Sequence, residues 1–479
     1  MWHTNKVSLL NLFTLLLGAV ESSAQSSTQW PQQTFKSTPL EAPYLNVTKN
    51  GQTELGYLFF SPTNSNWSYP TIYQDDGQLV WRGPLVNTSA EQPQMLNGEP
   101  VLAYWNGANI KGFGFGAISI LNSSYDEIYK VTLPGTEEKF VTADSLTYPS
   151  YIDIHESQIT DQGTILVTAV NVTQMDLSSI GGPKDGWVQD GLFYEIDIKT
   201  NDVLFRWSTV EHLSEVPLSN NELPLQGKGT NQTTPYEYPH LNSVAKYGDS
   251  YLISSRFMCS FFFIDKNGNV TWQLHGQKGG DFTLTPGTSF CYQHDPRFES
   301  QTEDKITIHF HNNENSDFTS ETIWDAEQPV YAESQGSYQN LTNGHVLMQH
   351  GAVPKLEEFD ENGALVMRAW FGYHGGTKTY RGYRFPWVGK PRTKPDVAAC
   401  AEKGKVVVYV SWNGATDVQE WKVLGGSEEG QMKKVTVVPR NGFETRIAVD
   451  EVVEKVVVEA VGGVGAGKRS EVVTVGQSC

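Results

Sequence analysis

The 479-residue sequence predicts an all-β protein, a six-bladed β-propeller over residues 25–390 followed by a small β-sandwich over residues 396–479. Three observations predict it. Aromatic residues make up 12% and charged residues 19%, with 44 glycines and 23 prolines, a balance that suits short strands and tight turns better than helices. A turn-and-strand element recurs along most of the chain. After Pro386 the composition shifts, and the proline-punctuated segment Lys390-Pro-Arg-Thr-Lys-Pro-Asp396 leads into valine-rich strands.

In chain order, Lys6 precedes an apolar run over residues 7–20, and Ser22, Ser23 and Ala24 supply small residues for cleavage. This reads as a signal peptide over residues 1–24, with the mature chain starting near Gln25. The run is too short to span a bilayer and no later segment is longer, so the mature chain is expected to be secreted, without a transmembrane segment. Eight Asn-X-Ser/Thr sequons, at Asn46, Asn66, Asn87, Asn122, Asn171, Asn231, Asn269 and Asn340, agree with export and predict glycosylated surface turns. The net charge of −19 is offset by no basic stripe, which excludes a nucleic-acid partner.

The repeat that builds the propeller is an acidic residue, a turn, an apolar strand and usually a tryptophan. It reads Tyr73-Gln-Asp-Asp-Gly-Gln-Leu-Val-Trp81, returns over residues 196–207, and recurs as Ile264-Asp-Lys-Asn-Gly-Asn-Val-Thr-Trp272 and Phe359-Asp-Glu-Asn-Gly-Ala-Leu-Val366; residues 121–131 are a weaker copy. Each is a hairpin signal. A turn and an alternating or apolar strand precede most of them, at residues 96–103, 162–168, 247–254, 305–309 and 343–348. The unit is thus about four strands, roughly every 45–80 residues, the size of a propeller blade with insertions. Strands from both ends are expected to close the ring.

Beyond Asp396, residues 406–414, 420–423, 434–438 and 456–460 are short strands at the spacing of a small sandwich. The pattern of Ser411, Trp412, Asn413 and Gly414 with Glu420 and Trp421 resembles fibronectin type III domains, which bind, space or pack. Four cysteines allow three connectivities; pairing inside each proposed domain gives Cys259–Cys291 and Cys400–Cys479. Their spacing does not suit a zinc–thiolate site.

The chemistry points to histidine. His155 precedes Gly163 by eight positions, His240 precedes Gly248 by eight, and His294 opens the next unit in a similar way. Each is placed at the entrance to a blade's first strand, and first strands line a propeller's channel, so three imidazoles are expected to face one space. Arg256 ends the strand after His240, Asn242 lies two residues past that histidine, and a guanidinium beside imidazoles suits an oxyanion. His309, His311 and Asn313 alternate and so share one face of a strand, where they could enlarge the active site or, in a His-x-His arrangement with a carboxylate, hold a metal. His275, His345, His350 and His374 read as structural. Gly112-Phe-Gly-Phe-Gly116 is glycine-rich but lacks the Lys-Ser/Thr of a phosphate loop, and no Gly-x-Ser-x-Gly elbow is present.

Tyr238-Pro-His-Leu-Asn-Ser-Val244, Ser254-Ser-Arg256, Gln293-His294 and Asn340-Leu-Thr-Asn-Gly344 together resemble the arylsulfotransferases of the fungal branch, over roughly residues 55–390. The resemblance implies a six-bladed propeller that moves a sulfuryl group from a phenolic sulfate to a phenolic acceptor. It implies His294 as the nucleophile, His240 with Asn242 and His155 as channel partners, and Arg256 as the sulfuryl-binding cation; no metal or organic cofactor is implied. Two departures stand out: the His309-Phe-His-Asn-Asn313 segment, and a sandwich that follows the propeller rather than preceding it. Other functions the scaffold could serve are tailoring an aromatic secondary metabolite without sulfate, or non-catalytic binding of glycans or cell wall.

Overall fold

The computed structural model describes residues 30–64, 67–136, 138–302, 305–314 and 332–477. The expected signal peptide, the sequon at Asn66 and Cys479 lie outside them. The chain is all-β, built of multiple antiparallel sheets. Its helical elements among the described residues are short 3-10 turns, and none is long and apolar enough to cross a membrane.

The acidic residue of the repeat shapes each hairpin. Asp265 Oδ1 accepts from the N–H groups of Asn267 (2.8 Å) and Asn269 (2.9 Å), and Asp360 Oδ1 does the same for Asn362 (2.9 Å) and Ala364 (2.8 Å). The glycines that follow, Gly268 and Gly363, sit at φ +90° and +80°, a region in which a Cβ is strained. The repeat tryptophan is equally specific: Trp207 Nε1 donates to the carbonyl of Gly268 in the next hairpin (3.1 Å), so one repeat is tied to its successor.

The strands Thr88–Leu96, Glu99–Ile110, Phe113–Leu121, Ile152–Ile159, Thr164–Met175, Gly186–Asp197 and Val203–Ser208 form the spine of a nine-stranded sheet; its two halves meet through one pairing, Ile152 with Gly116. A five-stranded sheet starts with Leu241–Tyr247 and Ser250–Ser255, and a two-stranded one joins His294–Gln301 to Ile306–His311. Strands from the two ends of this region then combine. Asn46–Lys49 pairs with Leu365–Trp370, and Tyr57–Phe60 with Gly382–Phe385. The cores lie between neighbouring sheets: Leu166, Phe193 and Trp207 of the nine-stranded sheet pack with Val244, Ile253 and Phe262 of the next.

Residues past 395 form a three-stranded and a four-stranded sheet around Val408, Trp412, Trp421, Ile447 and Val458. They rest on the chain's first strands. The N–H of Gly414 donates to the carbonyl of Val80 (2.8 Å), Asn413 Nδ2 to Arg82 (2.9 Å), and the N–H of Ser37 to the Glu444 carboxylate (2.6 Å). The proline-punctuated connection is held as well, with the N–H of Lys390 on the carbonyl of Ser123 (2.7 Å). Cys259 and Cys291 form a disulfide with a Cα–Cα distance of 4.2 Å, and Cys400 is also disulfide-bonded.

Two expectations change. The glycine turns do not open each unit's first strand: Gly163 and Gly248 follow it. His155 lies within Ile152–Ile159, and His294 begins a strand that pairs with Ile306–His311. Those first strands carry too many polar residues to read as apolar runs. Nor are all the sequons in turns. Asn46, Asn87, Asn231, Asn269 and Asn340 are exposed, but Asn171 lies inside Thr164–Met175, where its side chain accepts from the N–H of Val141 (2.8 Å).

Candidate active site

Three first strands break their ladders at comparable places. Pairing shifts between Ile152 and Ser157, between Leu241 and Ser243, and between His294 and Arg297. Such bulges release a residue from the ladder and re-aim its side chain. Here they release His155 and Asn242, and the third releases Asp295, at φ +55°, beside His294, which still pairs with His311. His155, His240 and His294 are 4%, 8% and 2% exposed, so the group is sealed within the protein.

His155 and His240 touch, with 3.2 Å between their Nε2 atoms. Behind His155, the Asp153 carboxylate takes its Nδ1, and also accepts from the N–H of Gly114 (2.7 Å) and from Thr168 Oγ1 (3.3 Å). Behind His240, Glu237 lies 3.4 Å from Nδ1, with Lys228 on its other oxygen at 2.8 Å. Gly114 belongs to the glycine-rich stretch: a Cβ there would lie 2.2 Å from Ile154 and 2.5 Å from Trp105. The same stretch sets the Phe113 ring 4.6 Å from His240 and 5.6 Å from His155.

His294 is held by two acceptors at one nitrogen. Its Nδ1 lies 2.7 Å from Asn313 Oδ1 and 2.9 Å from the carbonyl of Tyr292, while the N–H of Gln335 reaches Nε2 at 3.2 Å. The proton therefore sits on Nδ1, and Nε2 keeps its lone pair. The Tyr380 ring joins the histidines, 5.4 Å from His155 and 6.3 Å from His294. Asn242 spans strands, donating to the carbonyl of Gln293 (2.7 Å) and accepting at its own carbonyl from Tyr380 Oη (3.3 Å). Arg256 follows the strand Ser250–Ser255; its N–H bonds the carbonyl of His240 (2.9 Å), its Nη2 donates to the backbone carbonyl of Glu333 (3.0 Å), and its guanidinium lies 4.6 Å from the Phe257 ring centroid.

Electrostatics disfavour a proton on His240 and on His294. Burial lowers His240 to about 4, against its bond to Glu237, with the charges of His155 and Arg256 adding to the effect. Burial and then the Arg256 charge push His294 well below the usual imidazole range. Beside them is a buried four-charge cluster. Glu156 meets Arg381 (2.8 Å) and Arg297 (3.0 Å), and Asp295 meets Arg297 (2.7 Å) and Arg381 (3.3 Å). Burial would raise Glu156, but the two arginines hold it at about 2.

The expected residues divide. His155, His240, His294, Asn242 and Arg256 come together. His309 does not join them: its ring lies 5.3 Å from Tyr338, and its Nδ1 is 3.5 Å from Asn340 Nδ2. His311 faces His350, ring centroids 6.0 Å apart, next to Gly336. Asn313, read as their neighbour on one strand face, lies past the strand's end and serves His294. In the Asn340–Gly344 segment every residue but Leu341 is exposed, and Leu341 packs into a core with Leu347 and Leu356. Among the described residues, no three His, Cys, Asp or Glu side chains are grouped to hold a metal ion.

A family model described as arylsulfotransferase (ASST) matches residues 92–323 and 318–372, more than half of the chain. The chain belongs to the arylsulfotransferase family. The match to the arylsulfotransferase model spans His155, His240, Arg256 and His294, and it identifies the family rather than a branch of it. No curated protein matches the chain. Two solved structures are similar to this arylsulfotransferase family member. One is a protein of unknown function from Bacteroides caccae, 13% identical, covering 88% of this chain and 98% of its own, with a TM-score of 0.25. The other is apo AztD from Citrobacter koseri, 10% identical, covering 84% and 100%, with a TM-score of 0.26. At those scores neither bears on the site.

Proposed function

We propose that the chain is a secreted aryl-sulfate sulfotransferase, working on a six-bladed propeller that carries a fibronectin type III-like sandwich at its C-terminus. It takes the sulfuryl group of a phenolic sulfate onto His294 and passes it to a second phenol. One observation carries this reading: an imidazole with a fixed Nδ1–H and a free-pair Nε2 lies in a buried group with two further histidines, beside a part-exposed arginine.

Sulfuryl transfer, like phosphoryl transfer, has a loose, charge-spread transition state, so positioning and fixed positive charge do most of the catalysis. Nε2 of His294 attacks sulfur, the bond to the aryl oxygen breaks, and the Arg256 charge faces the sulfuryl oxygens. A neutral imidazole is required at the first step, and burial keeps it neutral. The N–H of Gln335 must leave Nε2 as the donor arrives. A cavity of about 440 Å³ lined by Glu333, Ser334, Thr63 and Lys378 adjoins that segment and offers a way in.

Substituting His294→Asn should abolish transfer from 4-nitrophenyl sulfate while the circular dichroism and melting curve of the wild type are retained. Mass spectrometry of wild-type protein mixed with donor alone should show one added sulfuryl group, absent from the variant. Turnover retained by His294→Asn would remove the nucleophile from this scheme.

A further inference from the structure

The histidine pair poses a protonation question that its surroundings answer. Asp153 presents only acceptor oxygens to Nδ1 of His155, and a carboxylate there requires Nδ1 to carry hydrogen. Glu237 makes the same demand on Nδ1 of His240; burial pushes it up, but His240 and then Lys228 outweigh that and keep it ionised, at about 2. Two neutral imidazoles so arranged would point their remaining lone pairs at each other across 3.2 Å. Flipping either tautomer merely moves the clash, turning a lone pair toward a carboxylate. One extra proton between the two Nε2 atoms removes it, and a second would put two imidazolium charges in contact. The remaining groups facing the pair are the Arg256 charge, which opposes further protons, His294, and the rings of Tyr380, Phe113 and Phe257.

We infer that His155 and His240 hold a single shared proton between their Nε2 atoms, that this proton serves the aryl oxygen, and that Asp153 and Glu237 are the positioning residues that keep it there. The role rests on the sulfotransferase reading; the shared proton does not. In the first half-reaction, Nε2 of His294 bonds to sulfur, the sulfur–oxygen bond of the donor breaks, and the leaving aryl oxygen takes the bridging proton, departing as a neutral phenol. The pair is left without its extra proton. In the second half, the acceptor phenol gives its hydroxyl proton to the pair as its oxygen bonds to sulfur. The nitrogen–sulfur bond breaks and His294 returns neutral. One proton leaves the pair and one comes back, so no outside acid or base is consumed.

The test has two independent readouts. The first is long-range proton–nitrogen NMR of the full chain with ¹⁵N-labelled histidine at about pH 7. One imidazole, missing in His155→Asn, should have both nitrogens protonated; the signature should survive His294→Asn and vanish in Asp153→Asn. If His155 and His240 each show one protonated nitrogen in the wild type, the inference is overturned, whatever the enzyme's activity. The second is the dependence on leaving group. Because general acid–base catalysis typically contributes about 10²–10⁴-fold, Asp153→Asn should slow phenyl sulfate about 100-fold or more. It should slow 4-nitrophenyl sulfate, whose phenolate leaves unaided, by less than about tenfold. Glu237→Gln, at a less buried position, should show the same bias more weakly and guards against Asp153→Asn failing to fold. Equal losses on both donors would mean the carboxylates do not act through a proton. A shared proton in a protein that transfers no sulfuryl group would leave the pairing standing and remove the sulfotransferase reading instead.

Discussion

Glu156 shows how much one residue can be responsible for. It is fully buried and meets two guanidiniums, Arg381 and Arg297, brought from segments far apart in the chain. Buried ion pairs add little net stability over apolar packing, but removing one partner leaves the others uncompensated. Glu156→Gln keeps the shape and deletes the charge, leaving two arginines to a single Asp295. It should destabilise the fold by about 3–5 kcal/mol, read from the midpoint of a urea unfolding curve; a loss under about 1 kcal/mol would mean water or a counter-ion reaches the cluster. This cluster was hidden in the sequence. His155, His240 and His294 stood out because they recur at matching places in a repeat, and Asn242 and Arg256 because they follow His240 in a known motif. Asp153, Glu156 and Asp295 flank those histidines, yet acidic residues in this chain mostly mark exposed turns, and nothing separates the buried ones. Tyr380 and Arg381 belong to no repeat.

At the scale of elements, the disulfide and the bulges do the positioning. The bond joins Cys259, three residues past Arg256, to Cys291, three before His294, so Arg256 and His294 are carried on two turns that cannot drift apart. Replacing both cysteines by serine should cost about 3–4 kcal/mol by loop entropy, seen as a lower melting temperature. Because those turns carry Arg256 and His294, kcat should also fall, and a variant that melts early yet turns over normally would show the cross-link to be purely structural. Hairpins were legible because the Asx turn and its glycine are local chemistry. The first strands were misread for the opposite reason: in strand 152–159 the alternation of Ile152, Asp153, Ile154 and His155 stops at Glu156, where a bulge has lifted residues 153–156 from the ladder, and a bulge has no sequence signature.

Over the whole molecule the titrating groups act in opposition. Burial lowers His240 and His309 to about 4 and His311 to about 3. Below the ordinary value of about 6.5 the unfolded chain therefore binds protons that the folded chain refuses, and stability is lost as pH falls from there toward 4. Glu91 and Asp190 run the other way, raised by burial to about 8 and about 7; the folded chain keeps protons the unfolded chain releases, and stability is lost as pH rises toward 8. Three imidazoles outweigh two carboxyls on the acid side, and only the carboxyls act above, so the melting temperature should peak at about pH 6.5. A melting temperature that climbs steadily to about pH 8 would contradict that balance.

The strand Asn46–Lys49 has a further consequence. Its hydrogen-bonding neighbour, Leu365–Trp370, is synthesised more than three hundred residues later. During translation the early strand waits with an open edge, and so does Tyr57–Phe60 on the side that Gly382–Phe385 will cover. An open edge invites pairing with another copy of the chain. Nascent chains stopped short of residue 385 are therefore the aggregation-prone species, and release of Gly382–Phe385 from the ribosome is the event that ends the hazard.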